Sequence, residues 1–415
     1  MNHIALFSTK NQRYIFFFLL FCIFLINIFI KYLHYKEFIK NEIFQTNCTV
    51  LNSYLKKDFT IIKLKNSNFT AFTPINKDIK IEKFSKIDIL LDSSHTTFLE
   101  YLKGFYAKNI SLYIYPKKDN LKSKLYYFIV NQHKNKTISS IYTALFLSIN
   151  SPKSLKQIFS NFGVSHLFAL SGFHLGLILG IVYFILNLLY STLHQKYLPY
   201  RNKRFDILVV SSIILYGYLS LIGTPASFLR AYVMFLFGII LLRSGISLIS
   251  FETLAIIVSV LLAFDPPLVF SLSLWLSVAG VFYIFLYIKY FKHLHKIISF
   301  ILFNFWIFLA MSPIVHYFFY NFTTIQLLSP IISMLFILFY PIALGLHIMG
   351  YGYFFDNILN NLLHYNFEII QIQTPLWFLI IYLGISFFSI FYKKSFIALN
   401  VILSILIILP YFFKF

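Results

Sequence analysis

Four side chains able to exchange protons or accept hydrogen bonds crowd into ten residues: Ser165, His166, Ser171 and His174. They lie in the run Gly163-Val164-Ser165-His166-Leu167-Phe168-Ala169-Leu170-Ser171-Gly172-Phe173-His174-Leu175-Gly176, just before an apolar stretch that continues to Leu189. In a helix, Ser171 and His174 would stand three residues apart on adjacent parts of one face. Ionisable groups at a membrane boundary are costly unless paired, wetted or used, so they mark a site or a pathway. Neutral imidazoles and hydroxyls can bond phosphate oxygens or bases without a fixed charge that would trap a polyanion, and conduction requires binding weak enough to release. The same groups are equally suited to bonding neighbouring helices and holding a bundle together.

A second constellation surrounds Arg230, which follows Gly223-Thr224-Pro225-Ala226-Ser227-Phe228-Leu229 and stands roughly 8 Å inside the next apolar run at 1.5 Å per residue. An arginine there can snorkel, pair with a carboxylate such as Asp265 or Glu252, or meet phosphate with its planar fork. Asp265-Pro266-Pro267 makes a good turn on its own account, and Ser271 to Ser277 follows it. No Walker A pattern, no His-Glu-x-x-His and no His-x-His-x-Asp-His occurs. The expectation is a protein that is not an enzyme, with no cofactor and no metal site. An intramembrane hydrolase built on Ser171 and His174 would lack an acid partner.

The elements that must position these residues are membrane spans. Hydrophobic residues make up 59% of the 415 and charged residues 12%, against about 25% charged in soluble domains. The mean hydropathy is +0.76. The fold class is therefore a polytopic α-helical membrane protein of about nine or ten spans, with a small N-terminal β-rich, OB-like extramembrane domain. Tyr14–Ile30 lacks a small-residue cleavage site and reads as an uncleaved signal anchor. The domains expected are residues 1–30 as this anchor, 31–137 as a periplasmic OB-like module and 138–415 as the transmembrane domain. Spans are expected at Phe162–Tyr190, Ile207–Ile222, Phe228–Leu242, Phe251–Phe264, Leu272–Ile288, Ile297–Phe318, Ile325–Met349, Leu376–Phe391 and Phe396–Phe413. Ile138–Ile149 is amphipathic and is expected near the membrane interface.

Lysine and arginine orient the spans. The loops 191–206 and 289–296 are basic and should face the cytoplasm, with the N-terminus, which leaves 31–137 outside. Residues 351–374, without Lys or Arg, suit the outside and Lys393-Lys394 the inside. Both fit only if Ile297–Met349 crosses an odd number of times, so Pro330, Pro341 and Gly345 suggest a broken or re-entrant hairpin.

Within the module, Cys48–Tyr54, Phe59–Leu64, Phe69–Thr73, Ile87–Leu91 and Ile110–Tyr115 read as strands, with one helical piece at Thr97–Lys103. Five strands and one helix suit a small barrel. Residues 31–137 carry 19 Lys, 9 acidic residues and no Arg, a net of +10 that attracts phosphate backbones. Tyr54, Phe59, Phe69, Phe72 and Tyr113 are available for stacking on single-stranded bases, although aromatic residues serve equally as core. Cys22 and Cys48 fall in different regions and are not expected to pair.

The run from Gly163 to Gly176 closely resembles the signature that opens the competence domain of the ComEC family, at fourteen consecutive positions. Phe98 to Ala107 resembles a stretch of that family's N-terminal OB domain more loosely. Gly223 to Ala231, Asp265-Pro266 with Leu276-Ser277, and Met311 to Tyr317 resemble later family segments; Leu272-Ser273-Leu274-Trp275 departs from the pattern while keeping its register. The resemblance spans about residues 45–350 and implies a bacterial inner-membrane channel for import of single-stranded transforming DNA. It marks Ser165, His166, Ser171, Gly172, His174, Arg230, Asp265 and Ser277 as the residues of interest. It also implies single-stranded DNA, the lipid bilayer, a periplasmic DNA receptor, a cytoplasmic import motor and a homo-oligomeric copy as partners. Many family members end in a metallo-β-lactamase-like domain, and the sequence reads as a short form without it. A transporter of another anionic polymer or a small solute is the alternative.

Overall fold

The computed structural model describes residues 9–56, 58–77, 79, 81, 85–115, 121–149, 151–168, 170–243, 250–365 and 367–412. The chain forms two compact units: Phe7–Asn120 with Val258–Leu272, and a helical unit holding Leu121–Ile257 and Ser273–Phe415.

The first unit begins with α1 (Lys10–Ile39), capped by Thr9, whose hydroxyl accepts from Gln12 N at 3.3 Å. The anchor expected to end at Ile30 continues for nine residues, because its last turns seal a barrel. Phe38 is buried among Phe69, Tyr101 and Phe105, and the Tyr35 hydroxyl donates to Thr96 O at 3.0 Å. The barrel comprises β1 (Ile43–Leu55), β2 (Phe59–Lys65), β3 (Thr70–Asn76), β4 (Lys86–Asp92), α2 (Phe98–Lys103), β5 (Phe105–Tyr106) and β6 (Asn109–Ile114). Antiparallel pairing joins β1 to β2 and β4, β2 to β3, and β4 to β6, while β5 runs parallel to β3. Since β5 and β6 are two halves of one run, that run bridges β3 and β4 and closes the sheet, as an OB-type barrel requires. Burial alternates with the period of two that a one-sided sheet needs: Ile62 and Leu64, Ala71 and Ile75, Ile87, Ile89 and Leu91 all point inward. α2 starts with a capping box, in which Thr97 N donates to Glu100 Oε2 at 2.9 Å. Gly104, at φ 101°, turns the chain into β5.

The helical unit contains α3 (Leu121–Val130), α4 (Lys136–Leu147), α5 (Lys153–Asn161), α6 (Ser165–Phe168), α7 (Gly172–Tyr197), α8 (Lys203–Ile222) and α9 (Ala226–Arg243). After α10 (Phe251–Phe264) come α11 (Leu272–Phe291), α12 (Lys296–Phe318), β7 (Asn321–Phe322), α13 (Ser329–Ile348), α14 (Asp356–Leu363), β8 (Ile370–Gln371), α15 (Leu376–Phe388) and α16 (Lys393–Phe412). Among the described residues six helices are long and apolar enough to cross a membrane: Lys10–Ile39, Gly172–Tyr197, Lys203–Ile222, Leu272–Phe291, Lys296–Phe318 and Thr324–Ile348. Ser227–Ile240, Phe251–Phe264 and Leu376–Phe388 are shorter apolar helices. The chain is a multi-pass helical membrane protein carrying a small sheet domain.

Three expectations are corrected. Ile138–Ile149 is not amphipathic in the fold: within α4, Ile138, Ile141, Tyr142, Leu145 and Phe146 are all buried in the unit's largest core, and so are Ser139 and Thr143. Its apparent polar face is Ser139, Ser140 and Thr143, whose hydroxyls bond back to Lys136, Thr137 and Ser140 carbonyls and so need no water. Phe162–Tyr190 is not one span, because the helix is interrupted until Gly172. Ile325–Met349 is not broken at its prolines: α13 runs through Pro341 and is led in by a 3-10 turn at Thr324–Leu328. Only one carbonyl loses its partner at such a proline, and membrane helices tolerate that.

A hairpin exists, but its turn is further on, at Gly350 (φ 84°). Phe355, Leu359 and Phe367 pack back against the core that α13 helps to build, and β8 pairs with β7. The excursion from 324 to 369 therefore begins and ends at one edge. Lys289 Nζ donates to Ile390 O, which sets the basic 289–296 loop beside Lys393-Lys394.

Candidate functional site

The interruption before α7 is built by its surroundings. Gly163 takes φ 71°, and a Cβ there would stand 3.2–3.3 Å from Gln326 and Ser329 side chains. Ser329 Oγ donates to Gly163 O at 2.9 Å, Gln326 Nε2 to Ser160 O at 3.1 Å, and Thr323 Oγ1 to Asn161 O. Carbonyls freed by the end of α5 are thus satisfied by the turn leading into α13, as backbone in a membrane unit must be. Val164 and Leu167 turn into the core, leaving Ser165 and His166 on the exposed side of α6. His166 Nε2 lies 3.4 Å from Ser333 Oγ on α13.

Ser171 is the cap residue just before α7 and not inside a helix, and it meets His174 there: Ser171 Oγ is 3.2 Å from His174 Nδ1, and Ser171 N donates to the same nitrogen at 3.4 Å. His174 is wholly buried, with its ring 5.5 Å from Phe336 and 5.2 Å from Tyr340. Its Nε2 has no hydrogen-bond partner among the described residues. Gly172 is exposed, and a side chain there would meet Ala231 Cβ on α9 at 3.3 Å. Ser227 Oγ, at the start of α9, donates to Leu170 O. The motif thus sits where α7, α9 and α13 converge.

One turn after Ser227, Arg230 is buried at 6% exposure. The polar partner it has is a hydroxyl: Nη2 donates to Ser273 Oγ at 2.8 Å, while Nε is unpaired among the described residues. Ser277 follows Ser273 by one turn of α11 and is exposed. Asp265 is exposed and belongs to the unit that holds the barrel. The structure therefore gathers Ser171, Gly172 and His174 with Ser227, and sets Arg230 of α9 against Ser273 of α11, one turn before Ser277.

In the barrel, Phe69 is core and unavailable for stacking, whereas Tyr113 is 61% exposed and Phe59 38%. Lys63 Nζ stands 5.4 Å over the half-buried Phe72 ring, and burial holds its ammonium below the ordinary lysine range. Burial and then Asp88 push the Cys48 thiol up to about 12, so it is a packing residue.

One polar constellation was not foreseen. His133, before α4, has Nδ1 at 2.9 and 3.1 Å from the Asp356 carboxylate oxygens and Nε2 at 3.0 Å from His347 Nε2. His347 Nδ1 faces Ala343 O at 2.7 Å, and the Tyr142 ring stacks on His133. No local spacing could reveal residues 214 and 223 positions apart; the only signal was isolated polar residues in an apolar chain.

A multi-pass helical unit with an interrupted span, together with a small barrel, is the class these features define. The family model described as "Competence protein" matches residues 150–414, and the chain belongs to that family, as a ComEC-type competence protein. It is similar to "Recombination protein 2" of Haemophilus influenzae, at 30% identity over 139 residues, 33% of this chain and 17% of that protein. The matched part is thus under a fifth of the relative's length. No solved structure matches the chain. Family membership implies a role in DNA uptake for transformation.

Proposed function

We propose that this chain is an inner-membrane channel for single-stranded transforming DNA, with the convergence of α7, α9 and α13 beside its path. The observation that carries the reading is His174: an imidazole wholly buried in a membrane unit whose Nε2 has no hydrogen-bond partner among the described residues. An unsatisfied buried polar atom costs about 1–3 kcal/mol, and in membrane spans such atoms persist where something passes or binds. Exposed His166 and Ser165 stand next to it at the helix break, and Arg230 supplies a cation one turn from the Ser227 contact. Hydroxyls and neutral imidazoles would meet phosphates weakly enough for movement. The basic barrel would gather the strand outside through its lysines and exposed Tyr113. A periplasmic receptor, a cytoplasmic motor and a second copy are the partners such a channel would need; no catalytic step is assigned to it.

The test replaces His166 and His174 together by Ala and follows labelled DNA, transformation and protein level. The expected result is normal accumulation of protein, DNA held in a protected periplasmic form, and transformation reduced by orders of magnitude. Normal transformation at normal protein level would remove the motif from the path. Loss of the protein from the membrane would assign the histidines to packing.

A further inference from the structure

His133, His347 and Asp356 tie three separate segments: the turn between α3 and α4, the end of α13, and the start of α14. Their contacts run in series. Asp356 meets His133 Nδ1 at 2.9 Å, His133 Nε2 meets His347 Nε2 at 3.0 Å, and His347 Nδ1 meets Ala343 O at 2.7 Å. Each contact needs one hydrogen. Two neutral imidazoles supply one N–H each and a carboxylate supplies none, so one contact would set lone pair against lone pair. Ala343 O is an acceptor only, which fixes a hydrogen on His347 Nδ1; the further hydrogen lies between the two Nε2 atoms, and the Asp356 carboxylate on the far side of His133 favours that ring as its holder.

We propose that these three residues form a proton-binding site, holding one proton beyond two neutral imidazoles and a carboxylate, and that this proton makes His133 an imidazolium that locks α14 and the α3–α4 turn onto the end of α13. The surroundings suit a cation on that ring. The His133 side chain is completely buried, and the 17% exposed Asp356 carboxylate balances its charge and gives the proton a route to water. The Tyr142 ring on α4 lies parallel to it at 4.7 Å, presenting the negative face of its π-system. Burial, and then Asp356, push the Tyr142 phenol up, so it stays neutral and does not compete for the site's charge. The remaining groups facing the rings are uncharged: Phe146, and Gln132, whose amide donates to His347 O at 3.1 Å and accepts from Gly352 N at 2.8 Å. Gly352 closes on the site, since a Cβ there would fall 2.6 Å from Gln132 Oε1 and 2.8 Å from His347 Nε2. The site is independent of any role in passing DNA.

The sign follows from proton counting. A folded chain that keeps a proton which unfolded histidine has released loses stability as pH rises. Full-length protein in detergent is unfolded thermally from about pH 5.5 to about pH 9, the range that brackets histidine titration, as wild type, Asp356→Asn and His133→Gln. The expected result is a midpoint that falls with pH in wild type and a flatter profile in both variants. Asparagine can still accept from Nδ1–H but cannot balance the charge, so parallel profiles in all three proteins would overturn the proposal. Should the variants fail to fold, nitrogen resonances of histidine-labelled wild type near neutral pH decide instead. Hydrogen on both His133 nitrogens is expected, and a single N–H on that ring would overturn it.

Discussion

Replacing Arg230 by Met separates a structural arginine from one kept for a ligand. The guanidinium is buried at 6% exposure and has a single neutral partner, Ser273 Oγ at 2.8 Å, with Nε unpaired among the described residues. Losing a hydrogen bond from a charged donor costs about 1.5–3 kcal/mol. Against that stands the penalty of keeping an ion out of water, several kcal/mol per ion even after relaxation. Methionine fills much of the same volume and removes both contributions. The balance is a variant as stable as wild type or more stable, by up to about 3 kcal/mol. The thermal midpoint in detergent should therefore hold or rise, while each kcal/mol moves it by about 2–4 °C in a chain of this order of size. If Arg230 meets phosphate during transport, loss of one charge-assisted bond lowers transformation by about 10- to 100-fold, at 1.4 kcal/mol per factor of ten. The assay pairs transformation frequency with membrane protein level and thermal midpoint. A midpoint more than about 4 °C below wild type would show that the Ser273 contact outweighs desolvation and refute the reasoning. Unchanged transformation at normal protein level would take Arg230 out of the path.

Alkaline phosphatase joined after Tyr115 should be active and after Lys203 inactive, because lysine and arginine mark the 191–206 loop as cytoplasmic; the reverse pattern would invert the arrangement. Lys122 donates to Ile222 O at 2.6 Å, and burial lowers its ammonium to about 8 from an ordinary 10.5. Between those values the unfolded chain binds a proton that the folded one does not, so Lys122 contributes a stability that rises with pH across that window, opposite in sign to the histidine contribution. Lys122→Met should remove this rise, read as the difference in thermal midpoint from wild type, and an identical rise in the variant would assign it to other groups.

Much of this molecule is decided by local sequence. Apolar run lengths placed most of the membrane helices, and the period of two in Ile87, Ile89 and Leu91 placed the strands, because each pattern is a direct consequence of one covered face. The adjacency of Ser171 and His174 was legible too, since three residues span about one turn, whereas the capping position of Ser171 was not. The site's wider geometry was not. Whether Phe162 to Ser171 continues α7 depends on Gln326 and Ser329 taking the freed carbonyls, and those residues are some 160 positions away. Pro341 looked like a breaker because local rules count the missing hydrogen bond but not the packing of Tyr340 and Ala343 into the core on either side of it. α4 looked amphipathic because its hydroxyls count as polar in a pattern, while in the fold they bond to their own helix. The His133, His347 and Asp356 chain exists only in three dimensions. Hydrogen bonding between side chains needs matched positions to within a few tenths of an ångström, and sequence fixes such positions only through the packing of the whole unit.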